Sequence, residues 1–408
     1  MKNKKIITFL VVLVFSVGGI FLTNNIYQNK NEETKTKKKK QNNLAIMIKE
    51  DGASDYTKSS SKDIPKGSYA LNRDKSYCKN NGVIGDYDNT LGKISFSFIG
   101  TDSCFLYFDY EIPIIEITTL MTPNDTDIFE ENGLRYEGAN PNNYICLDNQ
   151  KEGSCSNSSL LFRIIGLFNE EYSTDGSSSA GSKKMLKILD TNNYGGTSGK
   201  YWNSGGTNNW STSVLKTELN GTYLTTLLGT SNINSKLSSA IANTKWHLGG
   251  ASSSNYKTLT AEGVYTEERN TSAIYSGNPN SVYAKIGLMY PSDYGYATVG
   301  STTTNRAGCR AKAVYDYDTA DCKNNDWLFT SQVTSWGSNK TEWLISPSSS
   351  NSNGAAYLNS TGSVSLYGNL NGAVRFDRFA VRPTFYLDSS MLKIVGGTGT
   401  STVPYHIG

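Results

Sequence analysis

Six cysteines, Cys78, Cys104, Cys146, Cys155, Cys309 and Cys322, constrain this chain more than any other feature. They fall into three couples with 25, 8 and 12 residues between the partners. There is no C-x-x-C, and the only histidines are His247 and His406. A structural zinc site needs ligands at tighter spacing, so metal-bound thiolates fit poorly. Disulfides fit well, and they belong to an oxidising compartment. Spacing alone does not choose among the connectivities that six cysteines allow. The expected pairing is 78–104, 146–155 and 309–322, because each bridge then closes a local loop inside one segment.

The N-terminus agrees with export. Lys2, Lys4 and Lys5 precede an apolar run at 6–22. No A-x-A site and no lipobox cysteine follow it, so the expectation is an uncleaved signal anchor, a transmembrane helix over 1–23. The alternative is secretion after cleavage. Residues 24–43 are polar and Lys-rich and read as a solvated stalk. Lysines flank both ends of the run, which weakens the positive-inside rule. The cysteines settle the expectation: single-pass in the cell membrane, C-terminal portion extracellular.

Charge excludes one partner class. The formal net charge is +3, yet the first 40 residues hold nine Lys and two acids. The remaining 368 hold 30 basic and 34 acidic residues. The folded part is therefore slightly acidic and lacks a nucleic-acid footprint.

A small all-β module is expected over 44–112. Ile94-Ser95-Phe96-Ser97-Phe98 alternates with the period of a half-buried strand, and Cys104-Phe105-Leu106-Tyr107-Phe108 reads as a second. A 78–104 bridge would staple its thin core. A linker over 113–130, flanked by Pro113 and holding Pro123, leads to a larger domain over 131–390. Strands are expected at 144–147, 161–167, 185–189, 286–290, 343–346 and, last, 379–387. One helix starts after Ser211-Thr212-Ser213 and ends at Asn220-Gly221; a second covers 235–241. Residues 391–408 read as a C-terminal tail.

Five segments of the larger region carry a resemblance: Phe162-Arg163-Ile164-Ile165-Gly166, Asn209-Trp210-Ser211, the run Lys285 to Pro291, Glu342-Trp343-Leu344-Ile345-Ser346 and Val381-Arg382-Pro383. Together they resemble the DUF6273-type domains of bacterial surface proteins. Those are similar in turn to the C-type-lectin-like fold shared with formylglycine-generating enzymes. The resemblance covers about residues 131–390 and implies an α+β, β-rich fold: two short helices beside a twisted antiparallel sheet, with long loops. In the enzymes of that superfamily a cysteine pair near the C-terminal end is catalytic. Cys309 and Cys322 match by position but not by local sequence, so no catalytic residue is carried over. Asn140-Pro141-Asn142 is superficially similar to a lectin calcium triplet and reads as a turn.

Other constellations are weak. Asp316, Asp318 and Asp321 could surround calcium, but an EF-hand's Gly and Glu positions hold Asp321 and Trp327. A solvated loop inside the third cysteine couple explains them, and no cofactor is expected. Glu267 and Glu268 read as neighbours on one strand, pointing to opposite faces, a poor glycosidase couple. His247 reads as structural. There is no G-x-S-x-G and no Walker loop. Trp210, Trp246, Trp327 and Trp343 are expected in the core.

The ligand-binding candidates are Tyr357, Asn359, Tyr367, Asn369 and Asn371, because Tyr among Asn, Ser and Gly is the chemistry of recognition loops. The expected function is a membrane-anchored surface protein, not an enzyme, binding an extracellular glycan or protein. The alternatives are a structural component of the envelope, marked by an apolar patch on 44–112, or an enzyme, marked by perturbed carboxylates in a pocket.

Overall fold

The structure is a computed structural model that describes residues 42–50, 53–89, 91–111, 114–123, 125–334, 340–366 and 378–408. The chain divides into two compact units, Met1–Pro113 and Ile114–Gly408.

In the first unit, β1 (Asn43–Lys49) and β2 (Ser103–Tyr110) pair in parallel, from Asn43 opposite Ser103 to Lys49 opposite Asp109. Alternate residues of β2, Cys104, Leu106 and Phe108, are buried against Ile46, Ile94 and Phe96. Tyr77–Cys78 pairs with β2 so that Cys78 faces Cys104, and the two form a disulfide. The backbone register itself brings these sulfurs together, which sequence spacing alone could not require.

The second unit is built on a long hairpin, β5 (Leu161–Tyr172) with β6 (Gly181–Asp190). On the other side of β5 lie β3 (Leu134–Tyr136) and β4 (Tyr144–Cys146). β7 (Thr244–His247) joins β5 only at Tyr172. β8 (Thr384–Asp388) covers β6, and β9 (Tyr405–Ile407) runs parallel to β4. The register of the hairpin shifts between Ile164 and Gly166. A Cβ on Gly166 would lie 2.2 Å from the Leu134 carbonyl oxygen, so only glycine lets β3 approach here.

The helices are short and cap-driven. Ser213 accepts a hydrogen bond from the Lys216 N–H at the start of α1 (Val214–Glu218). The helix does not stop at Asn220-Gly221: a π-turn carries it into α2 (Leu224–Leu228). Asn220 instead docks it, donating to Ile286 O and accepting from the Lys285 and Ile286 N–H groups. Thr260 caps α3 (Ala261–Arg269) and Pro291 opens α4 (Pro291–Tyr296).

The expected fold class is corrected. Eight α-helical segments occur among the described residues, where two were expected. Strand accounts for 32% and helix for 18%. The sheets mix parallel and antiparallel pairs: β1 runs parallel to β2 in the first unit, and β9 runs parallel to β4 in the second. No helix among the described residues is long and apolar enough to cross a membrane. The run at 6–22, with the rest of 1–41, lies outside those residues.

Further differences follow from tertiary pairing. Residues 391–408 supply two strands, Lys393–Gly396 and β9. Within 113–130, Ile117, Met121 and Ile128 are buried in the core of the second unit. Glu267 and Glu268 stand on α3, where Glu268 is buried. The four tryptophans expected in the core are there, and Trp202 joins them.

The disulfides are Cys78–Cys104, Cys146–Cys155 and Cys309–Cys322, and no described cysteine is free.

Candidate functional site

A cleft of about 460 Å³ opens on the second unit where the sheet parts beside β5. β3 reaches β5 no further than Leu167, and β7 meets it only at Tyr172. Between them Phe168–Glu170 have β6 on one side and no described strand on the other. Strand alternation sorts the side chains. Phe168 and Glu170 point inward and are buried; Asn169 and Glu171 face out.

Under the floor lies a layer of buried charge. Asp293 takes Arg135 Nη1 on one oxygen at 3.0 Å and Lys187 Nζ on the other at 2.6 Å. It also accepts the Tyr290 N–H, which fixes the first turn of α4. Burial depresses the Lys187 ammonium's pKa, and the Asp293 carboxylate opposes that shift. The rings of Phe168, Trp246, Tyr290 and Tyr386 surround this ammonium at 4.4–6.0 Å. Such a caged charge is rigid, because moving any member strands another in a dry interior.

The walls are polar. Burial raises the Glu170 carboxyl above the usual range, opposed by Arg269 and Lys187. Its hydrogen bond from the Tyr386 hydroxyl is long, 3.5 Å. Glu171 binds Lys245 at 3.0 Å and accepts from the Tyr283 hydroxyl, and these two bonds lower its pKa. His247 on β7 is half-buried and pushed down to about 4, by burial first and then by Arg269 and Lys245. Arg269 stacks on Tyr265 with 3.6 Å to the ring centre and pairs with Glu268 at 3.2 Å. Glu268 is pushed up to about 7 by burial, yet it is fully enclosed and bound by the Ser292 N–H and hydroxyl. The perturbed carboxylates therefore do not form a solvent-facing catalytic couple. Ser182, a hydroxyl on the rim, is exposed and bonds to no base among the described residues.

The cleft was missed in the sequence, although one signal was present. In Phe168-Asn169-Glu170-Glu171-Tyr172 a period-2 strand puts an acid at a core-facing place, between Phe168 and Tyr172. A carboxylate there needs a reason.

The expected recognition residues are placed otherwise. Tyr357 is half-buried, with its ring 5.1 Å from Phe379 and 6.3 Å from Trp343. The Asn359 side chain closes its own turn, accepting from the Thr361 and Ser363 N–H groups. Tyr367, Asn369 and Asn371 lie outside the described residues.

The acidic loop does not converge. Asp316 and Asp318 are exposed, and Asp321 is half-buried at the start of the helix Ala320–Lys323. Among the described residues the one cluster spaced for a metal is Cys146, Asp148 and His406. Cys146 is consumed by its disulfide, and His406 is held by Asp148 and the Gly153 carbonyl, each at 3.1 Å.

Segments of the resemblance do meet in space. Glu342 and Arg382, from two of these segments, form a buried ion pair. Comparison of the chain with protein-family models, with curated proteins and with solved structures finds no match. These comparisons do not bear on the resemblance to DUF6273-type surface domains.

Proposed function

We propose that this chain is a non-catalytic binding protein of the outer cell surface, which takes an extracellular ligand into the cleft beside β5. The observation that carries this reading is the cleft itself: about 460 Å³ of open space with Glu170, His247 and Lys245 on strands and no nucleophile–base pair beside them among the described residues. A concave site with a few fixed polar groups is the ordinary form of a ligand pocket. Three disulfides support an oxidising location, and the apolar run at 6–22 supports export. The resemblance to bacterial surface domains points the same way. The cleft is preferred to the Tyr357–Asn359 region because both of those side chains are already engaged by their surroundings.

The test screens the intact chain against a glycan array and a phage-displayed linear peptide library, beside its His247→Trp variant. The larger ring fills the cleft from β7. Binders that weaken by about tenfold or more in the variant support the reading. Binders that ignore the change, or a blank in both screens, overturn it in favour of a structural envelope role.

A further inference from the structure

We propose that the ligand is an extended peptide bearing a basic side chain, captured as an added strand on the open stretch of β5. This rests on the cleft being the binding site and names what enters it.

The direction of the backbone groups carries the argument. In an antiparallel strand the N–H and C=O of one residue point to the same side, and successive residues alternate. Two bonds set the phase of β5. The Tyr172 carbonyl accepts the Ala180 N–H, on the β6 side. The Ser173 N–H donates to the Asn243 carbonyl, on the β7 side. Counting back, Phe168 and Glu170 bond toward β6, while Asn169 aims both backbone groups and Glu171 its N–H into the cleft; the Glu171 carbonyl takes the Lys245 N–H, the bond that completes the pairing of Tyr172 with Thr244. No other backbone or side-chain group among the described residues meets these three in the cleft. Three polar backbone groups thus stand in a row along one wall, on residues spaced one in two. Another extended backbone matches that row; a sugar ring has no such period. The ends of β3 and β7 limit the inserted stretch to about three residues, roughly 10 Å at the rise of a strand.

Charge selects the side chain. Among the described residues neither Glu170 nor Glu130, at the β3 end, has an ion-pair partner within 4.0 Å. Glu170 is 9% exposed and lines the cleft, so its carboxylate is largely desolvated with one long hydrogen bond. A Lys or Arg of the incoming strand would supply the direct ion pair that Glu170 lacks.

The experiment takes a peptide selected from the linear library at pH 7 and synthesises it with N-methyl groups at one or the other alternate set of residues. N-methylation of the set facing β5 is expected to weaken binding by about tenfold or more, and the other set to be tolerated. Hydrogen exchange of the Asn169 and Glu171 amides, fast in the free chain, is expected to slow by about tenfold in the complex, with Phe168 and Glu170 unchanged. Glu170→Gln is expected to weaken the peptide by about tenfold, and replacing the peptide's basic residue by norleucine should do the same. Equal effects of the two methylation sets, unchanged exchange at Asn169 and Glu171, or protection of both amides already in the free chain would each overturn the proposal. A cleft that binds glycans in a His247→Trp-sensitive way but selects no peptide also overturns it, while leaving the cleft reading intact. Peptides that bind the His247→Trp variant equally well remove both.

Discussion

Arg382 grips Glu342 with two parallel hydrogen bonds, Nε to Oε1 at 2.7 Å and Nη2 to Oε2 at 2.8 Å, and both side chains are 1% exposed. The remaining guanidinium donors reach the Leu328 carbonyl and Ser331, so the charge is fully satisfied. Removing one partner leaves the other charge buried and alone. Glu342→Gln or Arg382→Met is expected to cost about 3–5 kcal/mol. Arg382→Lys is expected to rescue little, since an ammonium cannot make the fork. The double variant Glu342→Gln/Arg382→Met should lose less than the two single losses combined. Urea unfolding of the four chains reads this coupling, and additive losses would refute it.

Asp190 makes stability depend on pH. It is 6% exposed and accepts from the Tyr223 hydroxyl at 2.8 Å and from the Asn192 N–H at 2.8 Å. Burial nevertheless pushes its carboxyl up to about 6. A carboxyl whose folded pKa is raised contributes stability below its unfolded value of 3.8, and that contribution is lost as pH rises through 6. The loss is about 2 kcal/mol between pH 4 and 7. Asp190→Asn should remove this part of the slope, as the difference between the urea midpoints of the two chains at both pH values. A constant difference would show that Asp190 titrates normally.

His247 has the opposite sign. Its imidazole, pushed down to about 4, is neutral in the folded chain at neutral pH. A histidine with a lowered pKa contributes stability above its unfolded value of 6.5, and that contribution is lost as pH falls through 4. An NMR titration is expected to place its midpoint near 4. Lys245→Met should move it upward by removing a positive neighbour. A midpoint at 6.5 in the parent chain would contradict the buried, positively flanked setting.

The first unit depends on its disulfide. Its buried core is Ile46, Ile64, Ile94, Phe96, Cys104, Leu106 and Phe108, a small set for independent stability. Cys78–Cys104 closes a loop with a sequence separation of 26, worth about 3–4 kcal/mol. Cys78→Ser/Cys104→Ser is expected to expose this unit to limited proteolysis while the second unit stays resistant. Equal resistance of both units would show that the core suffices alone.

Some of this was written in the sequence. The cysteine couples could be paired by proximity, because short loops close readily. Ile94 to Phe98 and Cys104 to Phe108 could be read as strands, because alternation follows from a pleat with one buried face. The helix at Val214 announced itself by its Ser213 cap. Its end did not: Asn220-Gly221 has the chemistry of a stop, yet Asn220 bonds to Ile286 instead. α3 was hidden because Thr260 and the short stretch after it have little helical periodicity, and packing of Ala261, Val264 and Glu268 supplies what local preference lacks.

The sequence by itself determined the local matters: an oxidised chain in two parts, strands by period two, and a core that takes the tryptophans. Tertiary structure alone decided where β3 and β7 stop along β5, and so opened the cleft at Phe168–Glu170. It also joined Asp293 to Arg135 and Lys187, and Arg382 to Glu342, across long stretches of chain. The physical reason is range. Alternation and capping depend on neighbours a few residues apart, whereas a gap in a sheet and a buried ion pair depend on segments that meet only when the whole chain has folded.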